Sequence, residues 1–266
     1  MSVDLHDRLL SVIGALVRWL VYAMLLLPAI IVVATSLTPG TTLTFPPPGI
    51  SLRWYIAAWE SSLFMNALGL SLKLAALATV CSLVIGLAAT FALDRHAFRG
   101  RDLIQSFLLS PLLIPTVVLG LGLIQFFVWI GLNQTFAGLL LGHIVITLPY
   151  VVRTLTASMV LFDRNLEQAA MSLRATPTTV IRTITIPLLL PGIISAMVFA
   201  FVTSFGNVTL SIFLSYEDKI TLPVHVLTYV EQNYDPLVAA VSSIVIFVTV
   251  LTIFLADRLS GSKPVI

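Results

Sequence analysis

Six apolar runs separated by short polar stretches organise the chain. Their approximate limits are Trp19 to Leu37, Phe64 to Leu93, Leu103 to Ile130, Phe136 to Leu161, Leu188 to Ser215 and Pro236 to Ala256. A helix needs roughly 20 apolar residues to cross a bilayer core, and the surplus in several runs implies tilt or extension beyond the lipid. The pattern predicts an all-α integral membrane protein of six transmembrane helices, one domain over residues 1–266. With 58% hydrophobic and 10% charged residues among 266, the composition lies outside the range of soluble globular domains.

Exceptions inside the runs carry the next layer. In the third run Pro111 and Pro115 each remove a helix hydrogen bond and Gly120 and Gly122 lower helix propensity, so a kinked or broken helix is expected mid-membrane. Such a break either lines a cavity or is a packing kink. Lys73, in the second run, has a stem long enough to snorkel outward or to meet a neighbouring helix. His143 stands without a second titratable group in its run, which favours a hydrogen-bonded packing role over proton relay. In the fifth run Ser204, Asn207 and Ser211 fall at i, i+3 and i+7, one polar stripe that lines an aqueous path or bonds across a helix interface.

Charge placement sets the orientation. Arg8, Arg18, Arg95, Arg99, Arg101, Arg153, Arg164, Arg174, Arg182, Arg258 and Lys263 fall on one face and only Arg53 and Lys219 on the other, eleven against two, so both termini are expected in the cytoplasm. The N-terminal segment lacks a small-residue cleavage site, and the first run is expected to be retained. On the outer face, Trp54, Tyr55 and Trp59 suit the headgroup level after three consecutive prolines that favour an extended chain. Glu217, Asp218, Glu231 and Asp235 form either an acidic vestibule or a solvated loop. A net charge of +2, with the basic residues scattered, gives no reason to expect nucleic acid. The single Cys81 excludes an intramolecular disulfide.

One polar interlude, Leu161 to Pro191, interrupts the membrane pattern. Leu166, Ala169, Ala170 and Leu173 recur at helical spacing and form one apolar stripe. Asn165 and Gln168 fit a capping box that starts a helix at Leu166, and Glu167 sits in the first turn, where the helix dipole favours a carboxylate. Pro177, Pro187 and Pro191 mark later helix starts or breaks. Periodicity alone leaves open whether this helix packs on its own protein or receives a partner.

The residues Glu167 to Pro177, EQAAMSLRATP, followed by Ile186 to Ile193, IPLLLPGI, resemble the EAA loop of ABC importer permeases, roughly E-A/E-A-A-x-x-L-G-A-x-P and then L-P-x-x-x-P-G-I. Arg174 stands where that pattern has glycine. The wording FPPPGISLRWY from Phe45 to Tyr55, with Thr221 to Val224 and Asp235 to Ala240, is similar to the polyamine subgroup, so the resemblance runs from about residue 43 to 255. It implies a permease core over about 60–256 and a cytoplasmic coupling loop over 162–187, between helices four and five, in the bacterial inner membrane. It also implies that Arg164, Leu166, Glu167, Ala169, Ala170, Leu173, Arg174 and Pro177 meet a cytoplasmic ABC ATPase dimer. The other implied partners are a second permease subunit, a heterodimer being favoured over a homodimer, and an extracytoplasmic solute-binding protein, with lipid around the spans. The family's fifth span contributes to the solute path, which points to Ser204, Asn207 and Ser211. The subgroup often carries two aspartates after Ser-Phe, whereas this chain has Gly206 and Asn207, which weakens a cation path built on those carboxylates. At Arg174 two outcomes are open, a strained left-handed residue or a helix that continues one residue further with the cation on its last carbonyls; the second is the expectation.

The sequence contains no G-x-S-x-G, no H-E-x-x-H and no G-x-x-x-x-G-K-[ST], and its four histidines are far apart. No enzymatic activity or cofactor is therefore expected of the chain itself, and ATP hydrolysis would fall to a partner. The implied solute is a polyamine such as putrescine or spermidine, with an aminophosphonate, thiamine or ferric iron as competitors. A six-span secondary transporter or channel without an ATPase would account for the hydropathy but leave the paired motifs as coincidence.

Overall fold

The computed structural model describes the backbone of residues 2–216 and 219–260; within it the side chains of residues 2–6, 8, 259 and 260 are not described. Glu217, Asp218, Lys263 and the Arg8 side chain therefore lie outside the described residues. The described chain is helical: α1 (Ser2–Ser36), α2 (Arg53–Glu60), α3 (Ser62–Arg95), α4 (Arg101–Leu109), α5 (Thr116–Trp129), α6 (Phe136–Val160), α7 (Asn165–Ser172), α8 (Pro177–Val180), α9 (Ile186–Phe205), α10 (Thr209–Leu214), α11 (Leu222–Gln232) and α12 (Leu237–Ser260). A 3-10 turn at Ser110–Leu112 follows α4, and a π turn at Ile181–Thr185 joins α8 to α9. The chain parts into two compact units, Met1–Met65 with Val226–Val248 and Asn66–His225 with Thr249–Ile266.

Five continuous helical stretches are long and apolar enough to cross a membrane: Leu9–Ser36, Ser62–Arg95, Phe136–Val160, Pro177–Phe205 and Leu237–Arg258. The third apolar run is broken, as its prolines predict, but more sharply than a kink. Arg101–Leu112 and Thr116–Trp129 are bent by 107° to each other. Pro111 opens the 3-10 turn and Pro115 stands at the N-cap of α5. Neither has an N–H to give, and Pro115 disfavours helical backbone at Ile114.

Pro187 stands in the first turn of α9, a helix start as expected, whereas Pro191 lies inside α9 and neither starts nor breaks it, contrary to the sequence expectation. The wider π turn ends one residue before Ile186, so the hydrogen-bond ladder shifts register where Pro187 lacks a donor, and α9 carries Pro191 inside it. Pro177 starts α8 as expected, with Thr176 Oγ1 accepting the Thr179 N–H at 3.3 Å.

In the unit built on residues 66–225, α6 is the central helix. Val151, Leu155 and Met159 pack against Leu189, Ile193, Ala196 and Ala200 of α9. Leu139 and Ile146 join Leu74, Phe127, Leu210 and Leu214 in a second cluster. Two glycines allow α6 such close neighbours. A Cβ on Gly86 of α3 would lie 2.5 Å from Val151 Cγ1, and one on Gly192 of α9 would collide with the Ser158 hydroxyl. Lys73 is exposed on α3 with its ammonium 5.0 Å from the Phe136 ring centre, a helix-to-helix cation–π contact.

In the other unit, α1 exposes apolar side chains on every face between Leu9 and Ile30. Trp54 Nε1 donates to the Gly40 carbonyl at 3.0 Å, and the Tyr55 hydroxyl lies 2.6 Å from Ser36 Oγ and 2.5 Å from Ser243 Oγ. Of the three aromatics expected at the headgroup level, only Trp59 is freely exposed. Asp235 is structural: it accepts the Tyr229 hydroxyl at 2.8 Å and the Leu237 N–H at 3.1 Å, starting α12.

Candidate functional site: a latched helix and a buried histidine

The helix α7 begins one residue before the sequence expectation. The predicted capping box is absent: Arg164 is the N-cap residue and makes no side-chain cap, and Asp163 Oδ1 instead accepts the Asn165 N–H at 2.9 Å. An aspartate bonding two residues ahead offers the chain a turn before Asn165 can act as a cap.

Glu167 is 3% exposed and points into the protein rather than outward. Arg95 Nη2, at the end of α3, donates to its Oε1 at 2.5 Å, and the Thr185 hydroxyl of the π turn donates to the same oxygen. Burial alone pushes the Glu167 pKa up. The hydrogen bonds from Arg95 and Thr185, with the positive charges of Arg95 and Arg164, outweigh it and hold the carboxyl below its ordinary value. Arg164 Nη2 donates to Asp94 Oδ1 at 2.8 Å and to the Asp94 carbonyl at 3.3 Å. Two ion pairs thus tie α7 to the last turn of α3, and Thr185 ties it to the approach to α9. Sequence reasoning missed Asp94 and Thr185 altogether. Its available signal was Asp94-Arg95, a charged pair ending an apolar run on the same face as the polar interlude.

The flank of α7 beside Glu167 is open. Leu166 is 46% and Leu173 84% exposed, Ala169 is exposed and Ala170 half-buried. The predicted stripe is therefore a surface held in place by an inward-facing carboxylate. Pro177 is exposed at the start of α8.

Arg174 corrects the expectation for the helix end. The helix stops at Ser172, Leu173 is the C-cap, and Arg174 takes φ +64°, in the left-handed region. The Ala175 N–H donates to the Ala170 carbonyl at 3.1 Å and the Arg174 N–H to the Met171 carbonyl at 2.9 Å. That is the bond pair of a Schellman motif, whose C′ position favours glycine. The same chain ends α5 by the same pair, Leu132 N–H to Phe127 at 2.8 Å and Gly131 N–H to Val128 at 3.3 Å, with Gly131 at φ +74°. The two bonds at Ala170 and Met171 outweigh a left-handed strain of about 1 kcal/mol. The Arg174 side chain is exposed and bonds nothing among the described residues.

The fifth-run stripe is also reshaped. Helix α9 ends at Phe205 and α10 starts at Thr209, so Ser204 and Ser211 are not on one helix. Both are buried and converge on His143 of α6, with Nδ1 2.8 Å from Ser204 Oγ and Nε2 3.2 Å from Ser211 Oγ. Ser211 already donates to the Asn207 carbonyl at 2.7 Å. Its oxygen is then free to accept Nε2–H, and Nδ1 accepts the Ser204 hydroxyl, a neutral ring satisfied at both nitrogens. Asn207 Oδ1 accepts the Leu210 N–H at 2.8 Å and starts α10; the residue is half-buried, and its side-chain amide nitrogen bonds nothing among the described residues. No group of three or more His, Cys, Asp and Glu side chains suited to a metal occurs among the described residues.

Long apolar helices, with a polar helix latched to the end of α3, define a membrane-embedded protein. The chain belongs to the family of binding-protein-dependent transport system inner membrane components, whose pattern matches residues 82–262. It is similar to the spermidine/putrescine transport system permease protein PotC of Haemophilus influenzae, 28% identical over 242 residues that span 91% of this chain and 94% of that protein. It is also similar to the putrescine transport system permease protein PotI of Escherichia coli K12, 31% identical over 205 residues, 74% and 73% of the two chains. Its fold is similar to that of a chain in a bacterial ABC transporter involved in the import of the acidic polysaccharide alginate. There the TM-score is 0.72 at 16% identity, over 95% of this chain and 96% of that one.

Proposed function

We propose that the chain is one of two permease subunits of an ATP-driven importer, lining half of a solute path and taking its energy from a cytoplasmic ATPase dimer bound at α7. The observation that carries this reading is the combination at α7 of an exposed stripe, Leu166, Ala169 and Leu173, with a buried latch through Glu167 to Arg95 and Thr185. A push on the stripe has two rigid routes into the spans, α3 and α9. The sequence contains no G-x-x-x-x-G-K-[ST] of its own, so hydrolysis belongs to the partner. Taking the bent pair α4 and α5 as one crossing would give six spans, and the eleven-to-two bias of basic residues supports an orientation with both termini and α7 on the ATPase side. The family supports a second permease subunit and a solute-binding protein as the remaining partners we propose.

For the path we retain Asn207, at the break between α9 and α10, with Ser204 and Ser211 holding that break to α6 through His143. A polyamine is the solute we propose, supported by the likeness to PotC and PotI over most of the chain. The test is reconstitution with the ATPase, a second permease and the binding protein. We expect vanadate-sensitive, ATP-dependent uptake that Leu173→Asp abolishes. Uptake driven by an ion gradient without ATP overturns the reading, and a thermal-shift screen in which no polyamine stabilises the binding protein overturns the solute.

A further inference from the structure

The charges of the loop are unevenly spent. Arg164 is paired to Asp94, Glu167 is buried against Arg95 and Thr185, and Asp163 accepts the Asn165 N–H. Glu167 therefore faces inward, and Asp163, though exposed, is engaged by its own backbone turn. Arg174 and Arg182 remain exposed, with no bond to any described residue. Arg174 also directly follows Leu173, the most exposed member of the apolar stripe, at 84%.

Its backbone adds a second observation. The C′ position of a Schellman motif accepts glycine without strain, and this chain uses Gly131 for it at the end of α5. At the end of α7 it holds an arginine there instead. The left-handed backbone, fixed by the bonds from Ala175 and Arg174 to Ala170 and Met171, fixes the direction in which the Cα–Cβ bond of Arg174 leaves the helix end. Anionic lipid headgroups are mobile, and an arginine one residue to either side, on unstrained backbone, would reach them equally well. An arginine rooted on a strained, fixed stretch of backbone beside the apolar stripe is of use against an anion that is itself fixed.

We infer that Arg174 is a partner-specificity residue: the ATPase groove that receives Leu166 and Leu173 carries a carboxylate placed to bond the Arg174 guanidinium. This rests on the docking role proposed for α7. An arginine–carboxylate bond at the rim of an apolar contact adds recognition and salt dependence to an otherwise hydrophobic surface. It would discriminate against ATPases whose groove is neutral or basic at that point.

The experiment measures binding of the cognate ATPase to the full permease complex in nanodiscs of zwitterionic lipid, across a salt series, for wild type, Arg174→Gly, Arg174→Lys and Leu173→Asp. We expect Arg174→Gly to melt no lower than wild type, because glycine relieves the strain, yet to bind about tenfold more weakly at low salt with a flatter salt dependence. Arg174→Lys keeps the charge and most of the affinity. Wild-type affinity for Arg174→Gly at every salt concentration overturns the inference. So does a defect that is present only when anionic lipid is added, since that assigns the arginine to the membrane. Leu173→Asp separates the two readings: if it binds normally, the docking role of α7 fails, whereas if it fails to bind while Arg174→Gly binds normally, only the carboxylate partner is refuted.

Discussion

Glu167 shows how one residue can be placed correctly in sequence and misread in direction. A carboxylate in a first helical turn is favourable on dipole grounds alone, and that argument leaves it facing water. The structure turns it inward, onto Arg95 and Thr185. Its pKa in the folded chain lies below the ordinary value. The contribution of the latch is therefore present in full above the unfolded pKa and is lost as pH falls through the folded one. Melting curves of wild type and Glu167→Gln over a pH series are expected to differ most at neutral pH, by about 1–3 kcal/mol, and to converge only as the pH falls through the lowered folded pKa, below the ordinary carboxylate range. A constant difference across the series would remove the latch from the account. Spacing marked Glu167, Leu166 and Leu173 for notice, but Asp94 and Thr185 lie 73 residues before and 18 after Glu167, and no local period links them to it.

Among elements, the apolar runs were legible because membrane-crossing helices satisfy their own backbone, so a one-dimensional pattern suffices to find them. Helices α3, α6 and α12 match three of the six runs to within a few residues. The break after Leu112 was legible too, because Pro111 and Pro115 act locally. Its 107° angle was not, because it depends on what packs on each side. The same limit applies to Pro191, which lies inside α9 without ending it. Packing of α6 on α9 depends on Gly192 facing Ser158. Gly192→Val is expected to destabilise the permease by about 1–3 kcal/mol through overpacking, and Ser158→Gly on that background to restore part of the loss. Thermal denaturation in detergent measures both, and an absence of rescue would place the damage elsewhere.

For the whole molecule, the function we propose is divided between this chain and the partners it would assemble with. An ATPase that binds only the folded permease should stabilise it by mass action, about 2.7 kcal/mol at a free concentration one hundred times Kd. Wild-type permease is expected to show that rise in melting temperature when ATPase is added, and Leu173→Asp to show none. A rise of equal size in the variant would mean that the ATPase binds away from α7. The family was legible at this scale because the EAA-like loop and the proline-glycine motif after it are contiguous strings whose order survives without coordinates.

The sequence by itself determined the all-helical membrane class, the polar helix after the fourth apolar run and the family, because hydropathy, helical period and short motifs are local along the chain. Tertiary structure alone decided the inward turn of Glu167, the meeting of Ser204 and Ser211 on His143, and the left-handed backbone of Arg174. Each of those is an exchange between a local preference and a non-local bond. The buried carboxylate gains an arginine from α3, the hydroxyls of two separate helices satisfy one imidazole, and the arginine accepts about 1 kcal/mol of strain so that the carbonyls ending α7 keep their donors.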